Sequence, residues 1–116
     1  MSVSTLDQLA RCASRSQQAM AKAERAFARL LKLAESSDSG QMRRVAAFIA
    51  ATFNGRTFPL DVFELRAVDV AISDDMLRCL DALRWARADL YTLVPDGEVR
   101  VRSVIRQVRQ REEAHS

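Results

Sequence analysis

Residues 5–34 read TLDQLARCASRSQQAMAKAERAFARLLKLA, and this stretch decides the fold. It contains neither glycine nor proline, so no residue in it interrupts a helix. Its apolar residues return at alternating three- and four-residue steps, which is the spacing of one helix face. The stretch therefore predicts a long amphipathic helix whose apolar seam consists of Leu6, Leu9, Ala13, Ser16, Met20, Ala23, Phe27, Leu30 and Ala34.

The first half of this predicted helix leaves two alternatives open. Thr5, followed by Gln8, predicts a capping box at its start. Small seam residues and the polar run at residues 14–18 weaken the apolar face there. Either a core helix begins near Met20 after a frayed or partner-seeking extension, or the whole seam pairs with a second copy. Residues 1–18 are accordingly expected to form a mobile or dimerising N-terminal extension.

Turn signals divide the rest of the chain into further helices. Residues 35–40 form a linker in which Asp38 or Ser39 is a ready N-cap, and residues 54–55 end the second helix. Asp61 can cap a third helical stretch, which a cap-like Asp69 divides in two, and Asp96 can cap the last helix.

The last segment alternates like a strand at residues 99–102, but helical spacing covers its whole length, so a helix is predicted. The fold class that follows is all-α, a compact bundle of about four helices with a long N-terminal helix, in a single domain over residues 1–116. Its predicted core contains Phe27, Leu30, Leu31, Val45, Phe48, Ile49, Leu65, Val68, Ile72, Met76, Leu80, Leu83, Val101, Val104, Ile105 and Val108.

Charge is distributed unevenly along the sequence. Sixteen arginines and two lysines outnumber fifteen acidic residues, which gives a net charge of +3. Residues 1–34 are basic and residues 61–89 are acidic, so the two segments either attract each other or leave a basic face for an external anion.

The two cysteines, Cys12 and Cys79, lie far apart with no histidine nearby, which favours free thiols and a cytoplasmic location. The sequence predicts neither a membrane span nor a signal peptide.

Catalytic motifs are missing from the sequence. The one histidine, His115, is next to the C-terminus, so acid–base, triad and His-ligand metal chemistry have no good candidate residue. Adjacent helical residues point about 100° apart, so Asp74 and Asp75 favour an ion-pair or helix-start role over a metal site. We expect no enzyme activity, no cofactor and no metal.

A pair of cations lies at the start of the second helix, where positive charge is unfavourable. Arg43 and Arg44 oppose the helix dipole there. With Ser39 and Gln41 at the same helix start, they make a candidate site for an anion or a partner. The alternative, which we favour, is that Arg43 or Arg44 pairs with one of three carboxylates in the acidic segment, namely those of Asp69, Asp74 and Asp75.

A second basic stripe lies in the last helix, where Arg102, Arg106 and Arg109 follow four- and three-residue steps. Such a stripe can follow a phosphate backbone, so nucleic-acid binding is an alternative function. No aromatic residue interleaves with these arginines to stack on bases, and a solvated helix face has the same pattern. Nucleic acid is therefore not the favoured partner.

The central stretch carries two short motifs. Residues 39–46 read Ser-Gly-Gln-Met-Arg-Arg-Val-Ala and residues 71–76 read Ala-Ile-Ser-Asp-Asp-Met. Over residues 22–108 the chain resembles a small uncharacterised family of proteobacterial proteins, often encoded on plasmids and other mobile elements. It departs from that family at Thr52-Phe53, where a Trp pair is expected. The resemblance implies no activity, only a helical accessory protein of a bacterial cytoplasm.

Two functions from different classes follow. The first is a non-catalytic helical interaction module, an accessory or regulatory protein of mobile-element origin that binds a protein partner or a second copy of itself. The second is a nucleic-acid-binding protein that uses its Arg-rich helix faces. Neither function involves a membrane.

Overall fold

A single helix of 32 residues, α1 (Thr5–Ser36), dominates the computed structural model, which describes residues 4–85 and 89–115. Three more α-helices follow, α2 (Gly40–Phe53), α3 (Val70–Trp85) and α4 (Gly97–His115). Two 3-10 helices, Val62–Arg66 and Leu90–Leu93, precede α3 and α4. The described ranges contain no strand, so the predicted all-α fold of four helices with a long first helix is confirmed.

The cap of α1 lies one residue earlier than predicted. Ser4 is the N-cap, and its hydroxyl oxygen accepts a hydrogen bond from the backbone N–H of Asp7 at 3.1 Å. Thr5 is instead the first helical residue. Both side chains carry a hydroxyl group that can cap a helix, so residue type alone does not separate them.

α1 and α3 run antiparallel to one another. Arg29, near the end of α1, bonds to Asp75 in the first half of α3, whereas Arg15 lies over the ring of Trp85 at the end of α3, 5.1 Å from its centroid. α2 packs mainly against α4, and α1 contacts all three other α-helices. The molecule measures 60 × 29 × 25 Å. Since 32 helical residues span about 48 Å, α1 accounts for most of the long dimension.

Two ion pairs join the end of α1 and the following linker to α4. Arg100 donates two hydrogen bonds to the carboxylate of Glu35, at 3.0 and 2.7 Å. Asp38 in the linker pairs with Arg111 near the end of the same helix. Together these contacts hold the α1–α2 connection along α4.

The core is formed mainly by the predicted residues, with corrections at its edges. Twelve of the sixteen predicted core residues are buried, but Leu65, Leu80 and Val108 are only half-buried and Leu83 is 39% exposed. Further buried residues come from α1, α2, α3 and the connecting segments: Ala19, Ala23, Ala26 and Ala34 in α1, Met42 in α2, Cys79 in α3, and Phe58, Leu90 and Val94 in the connections.

The connections to α3 and α4 follow the predicted capping residues. The Asp61 side chain accepts from the Phe63 N–H at 3.0 Å and starts the first 3-10 helix, and α3 begins directly after Asp69. Asp96 has φ 55°, and its carbonyl accepts from the Arg100 N–H at 3.0 Å. Gly97 then packs so tightly that a Cβ there would lie 1.8 Å from the Tyr91 carbonyl oxygen. Residues 99–102 are helical, as predicted.

Candidate functional site

The start of α2, the first predicted site, is fixed by side-chain hydrogen bonds. Ser39 is the N-cap, and its hydroxyl accepts from the Met42 N–H at 3.4 Å. Gln41 reaches the residue before α3: its Oε1 accepts from the Asp69 N–H at 2.6 Å and its Nε2 donates to the Asp69 carboxylate at 3.3 Å. Ser39 and Gln41 therefore have structural roles in capping α2 and joining it to α3.

Both arginines at this helix start have acidic partners, but not the predicted ones. Arg44 pairs with Glu64 in the first 3-10 helix, and Arg43 lies 3.5 Å from Asp38. The expected pairing with Asp69, Asp74 or Asp75 is wrong because α3 turns its acidic first half toward α1 and not toward α2. Asp69 bonds to Gln41 instead, while Asp74 lies beside the α1–α3 contact.

Among the residues that the structure describes, Asp75 is the buried charged residue, and the ion-pair role expected for it is confirmed, although the sequence did not indicate its partners or its burial. Its carboxylate is 7% exposed and is contacted by Arg29 from α1 and Arg78 from α3, at 2.7 and 2.8 Å. Burial raises the pKa of this carboxyl group, but the hydrogen bonds from Arg29 and Arg78 outweigh burial and lower its pKa overall. Asp75 is therefore a charged link between α1 and α3.

A recess of about 480 Å³ lies beside the α2 start. Its charged lining consists of Arg43 and Arg44 together with Asp61 and Glu64. The two cations are thus balanced locally by acids, and an external anion has to compete with Glu64 for Arg44. The anion- or partner-binding role of this site stays a prediction.

The arginine stripe of α4 lies in a different setting, a groove of about 380 Å³ between α4 and the end of α2. Arg102 lies over the ring of Phe53, 5.1 Å from its centroid, and Arg109 lies over Phe58 at 5.6 Å. Arg106 lines the groove between them. No aromatic residue interleaves with these arginines in the sequence. In the folded protein, however, Phe53 at the end of α2 and Phe58 in the turn after it lie directly beside them.

Sequence reasoning missed this groove because its two sides are far apart in the chain. The aromatic rings come from residues 53 and 58, whereas the guanidinium groups come from residues 102–109. Phe53 is the last residue of α2 and Phe58 lies five residues further on, in the turn after the helix, so no regular spacing in the sequence links the two rings. Only the packing of α2 against α4 brings the two sets together.

The exposed start of α1 is a third surface feature. Every side chain from Thr5 to Arg15 is exposed, and the first buried residue of the helix is Ala19. Leu6 and Leu9 are 79% and 61% exposed. The seam that packs in the core from Ala19 onward therefore continues without cover toward the N-terminus.

Nothing in the described side chains forms a cluster of three His, Cys, Asp or Glu groups that could hold a metal ion. Burial, together with the nearby charge of Asp75, raises the pKa of the Cys79 thiol to about 12, so this thiol is protonated at neutral pH. Cys12 is exposed on α1, and both cysteines are free thiols. Within the described ranges, no helix is both long and apolar enough to cross a membrane.

These features define a small all-helical protein with a projecting first helix and an arginine-lined groove. A family model described as a family of unknown function, DUF7673, matches residues 24–109 of the 116-residue chain. The chain belongs to this family. The matched span includes α2, α3, the groove and both short motifs, whereas the exposed start of α1 lies outside it. Neither a curated protein nor a solved structure matches the chain.

Proposed function

We propose that the protein is a non-catalytic helical interaction module that binds another helix through the start of α1. The observation that supports this role is the continuity of the α1 seam. Its second half is buried in the core, with Ala23 and Leu30 at 0% exposure, while Leu6 and Leu9 on the same face are mostly exposed. One helix thus offers a single apolar face, half occupied by its own chain and half free for a second helix.

The length of the exposed part suits helix pairing. The eleven residues from Thr5 to Arg15 span about 16 Å, or three helical turns. Isolated helices of this length are marginal in water, but this one is a continuation of a helix that the core already stabilises. A partner helix therefore meets a preformed surface, which reduces the entropic cost of binding.

The partner is a second copy of this chain or another protein of the same cell. An accessory or regulatory role in a bacterial cytoplasm, in connection with a mobile element, is supported by the resemblance of residues 39–46 and 71–76. The two free cysteines accord with a reducing compartment. The basic surface of α1, with Arg11 and Arg15 in its exposed part, favours a partner with acidic residues beside its apolar face.

Site-specific photocrosslinking in cells tests the role of this face. A photoreactive residue at position 9 lies on the apolar seam, whereas one at Ser14 lies on another face of the same exposed helix. We expect covalent adducts from position 9 and few from position 14. Mass spectrometry of the adducts identifies the partner. Equal crosslinking from both positions, or none from either, would contradict the proposal.

Light scattering tests whether the partner is a second copy of this chain. Leu6→Gln with Leu9→Gln removes the apolar face, and Ala10→Gln with Ser14→Gln is the matched control on the same helical turns. If the partner is a second copy, the wild type and the control have the mass of a dimer and the Leu6/Leu9 variant that of a monomer. Identical monomer masses for the full chain and for one starting near Gln18 exclude the homodimer and leave a different protein as the partner.

A further inference from the structure

The groove between α2 and α4 combines an apolar wall with a row of cations. Phe53, Phe58, Val99 and Ile105 form the wall, and Arg102, Arg106 and Arg109 line the groove beside them. Phe58 and Ile105 are 8% exposed, while Val99 is 68% exposed. The groove is therefore a charged surface with a narrow apolar strip and not a broad hydrophobic patch.

The arginines of the groove are positioned and only partly neutralised. Arg102 and Arg109 lie over aromatic rings, which restricts their long side chains, and Arg102 also bonds to Glu98 at 3.0 Å. Arg106 has no acidic partner among the residues that the structure describes. A guanidinium group that stacks on a ring still presents its N–H edge to an oxyanion, so Arg109 can bind phosphate while it stays over Phe58, whereas at Arg102 a phosphate competes with the exposed carboxylate of Glu98.

The spacing of the three arginines exceeds the reach of one phosphate group. Four- and three-residue steps along α4 correspond to rises of about 6 and 4.5 Å, so the row extends over roughly 10 Å. Adjacent phosphates of a nucleotide chain can contact such a row one after another. The side chain of Arg102 is 60% exposed, which leaves the guanidinium face opposite Phe53 open to a base.

We infer that the groove between α2 and α4 binds single-stranded nucleic acid, with successive phosphates on Arg102, Arg106 and Arg109 and a base against Arg102 and Val99. This binding goes beyond the helix-pairing role of α1 and uses a different surface. A single strand fits because its bases are unstacked and can enter a groove of about 380 Å³. The bases of a duplex are stacked within the double helix and do not reach such a groove. An acidic peptide fits less well because Val99 alone offers it an exposed apolar anchor in the wall.

Isothermal titration calorimetry with an oligothymidylate, carried out on the full chain at two salt concentrations, tests this inference. Each phosphate contact to a single strand contributes about −0.7 to the logarithmic salt slope, so three contacts weaken binding about 20-fold between roughly 50 and 200 mM salt. Replacing Arg102, Arg106 and Arg109 by Gln should abolish measurable binding. The matched control replaces Lys22, Arg25 and Lys32 by Gln; these residues are exposed on α1 outside the groove, and the control changes the net charge equally.

A second variant keeps all three arginines. Val99→Glu places a negative charge in the groove at an exposed position, so it should weaken oligonucleotide binding about tenfold or more without altering thermal unfolding. The inference is overturned if the α1 control loses as much affinity as the groove variant. It is also overturned if thymidine monophosphate or an oligoglutamate peptide binds as tightly as the oligonucleotide. The groove would then be a site for free nucleotides or for acidic peptides.

Discussion

The guanidinium group of Arg29 donates two hydrogen bonds to the carboxylate of Asp75, Nε to Oδ2 at 2.9 Å and Nη2 to Oδ1 at 2.7 Å. The two residues lie 46 positions apart in the chain and on antiparallel helices. Because Asp75 is almost fully buried and Arg29 is half-exposed, the pair attaches a buried carboxylate to a cation at the surface. This bidentate geometry fixes the register of α3 along α1.

Replacing Asp75 by Asn should lower the free energy of unfolding by about 1–3 kcal/mol. Asn keeps the shape but loses the charge-assisted bonds to Arg29 and Arg78, and these two cations remain partly solvated, which limits the cost. Asp74→Asn is the control at the neighbouring exposed position, where we expect a change within about 0.5 kcal/mol. Urea unfolding followed by circular dichroism measures both, and equal effects at the two positions would argue against a specific role for Asp75.

The stabilisation by Asp75 should also depend on pH. Since Arg29 and Arg78 hold the pKa of the folded carboxyl group below its unfolded value, the stabilisation is fully present above the unfolded pKa of about 3.9. It is lost as the pH falls through the lower pKa of the folded state. The difference in unfolding free energy between wild type and Asp75→Asn should therefore be constant from neutral pH to about pH 5 and shrink below about pH 4.

Gly97→Ala should destabilise the fold by about 2 kcal/mol or more. The added methyl group collides with the carbonyl of Tyr91, so the 3-10 helix Leu90–Leu93 or the start of α4 has to move. Gly40→Ala is the matched control, because no atom lies within 4 Å of its added Cβ. Alanine favours the helix there, so this variant should be neutral or more stable by up to about 1 kcal/mol. Thermal unfolding midpoints compare the two.

The two thiols should differ in their reactivity. Cys12 is exposed on α1, whereas Cys79 is completely buried, and burial raises its pKa to about 12. A maleimide should label Cys12 in the native protein and Cys79 only after denaturation, as followed by mass spectrometry. Equal labelling rates for both thiols in the native state would show that the α1–α3 contact opens readily.

Val104→Asp should cost about 3–5 kcal/mol because it places a charge in the fully buried face of α4. Arg106→Glu, two residues further along the same helix, changes an exposed side chain and should cost no more than about 0.5 kcal/mol. Denaturant unfolding of the two variants tests the orientation of α4. A large loss of stability in the Arg106 variant would place that side chain in a packing role.

The long helix and the core face of α4 could be predicted because a period of 3.6 residues extends over many turns in each. Leu90 and Val94 were not predicted as core residues, since they belong to a short 3-10 helix and its end, where only one turn is available and no period develops. Leu83 fits the seam of α3 but is 39% exposed, since a sequence pattern does not show how far a neighbouring element extends over a helix.

The candidate sites were harder to predict than the fold because each depends on contacts between distant segments. Arg43 and Arg44 are correctly marked as cations in need of acidic partners, but the choice of Asp38 and Glu64 depends on the path of the linker and the first 3-10 helix. In the same way, the groove of α4 requires Phe53 and Phe58 from another element. Charge and periodicity in the sequence predict that a residue requires an ion-pair partner or a buried environment, but tertiary packing determines which residues provide it.

Trp85, the single tryptophan of the chain, lies where the exposed start of α1 leaves the rest of the molecule. The guanidinium groups of Arg15 and Arg84 lie over its ring, 5.1 and 4.9 Å from the centroid. Because indole emission responds to nearby charge and to water, a partner that shifts Arg15 changes the fluorescence of Trp85 directly. The protein thus carries an intrinsic optical reporter at the base of its projecting helix, and Arg15→Gln provides the reference spectrum for a ring without that cation.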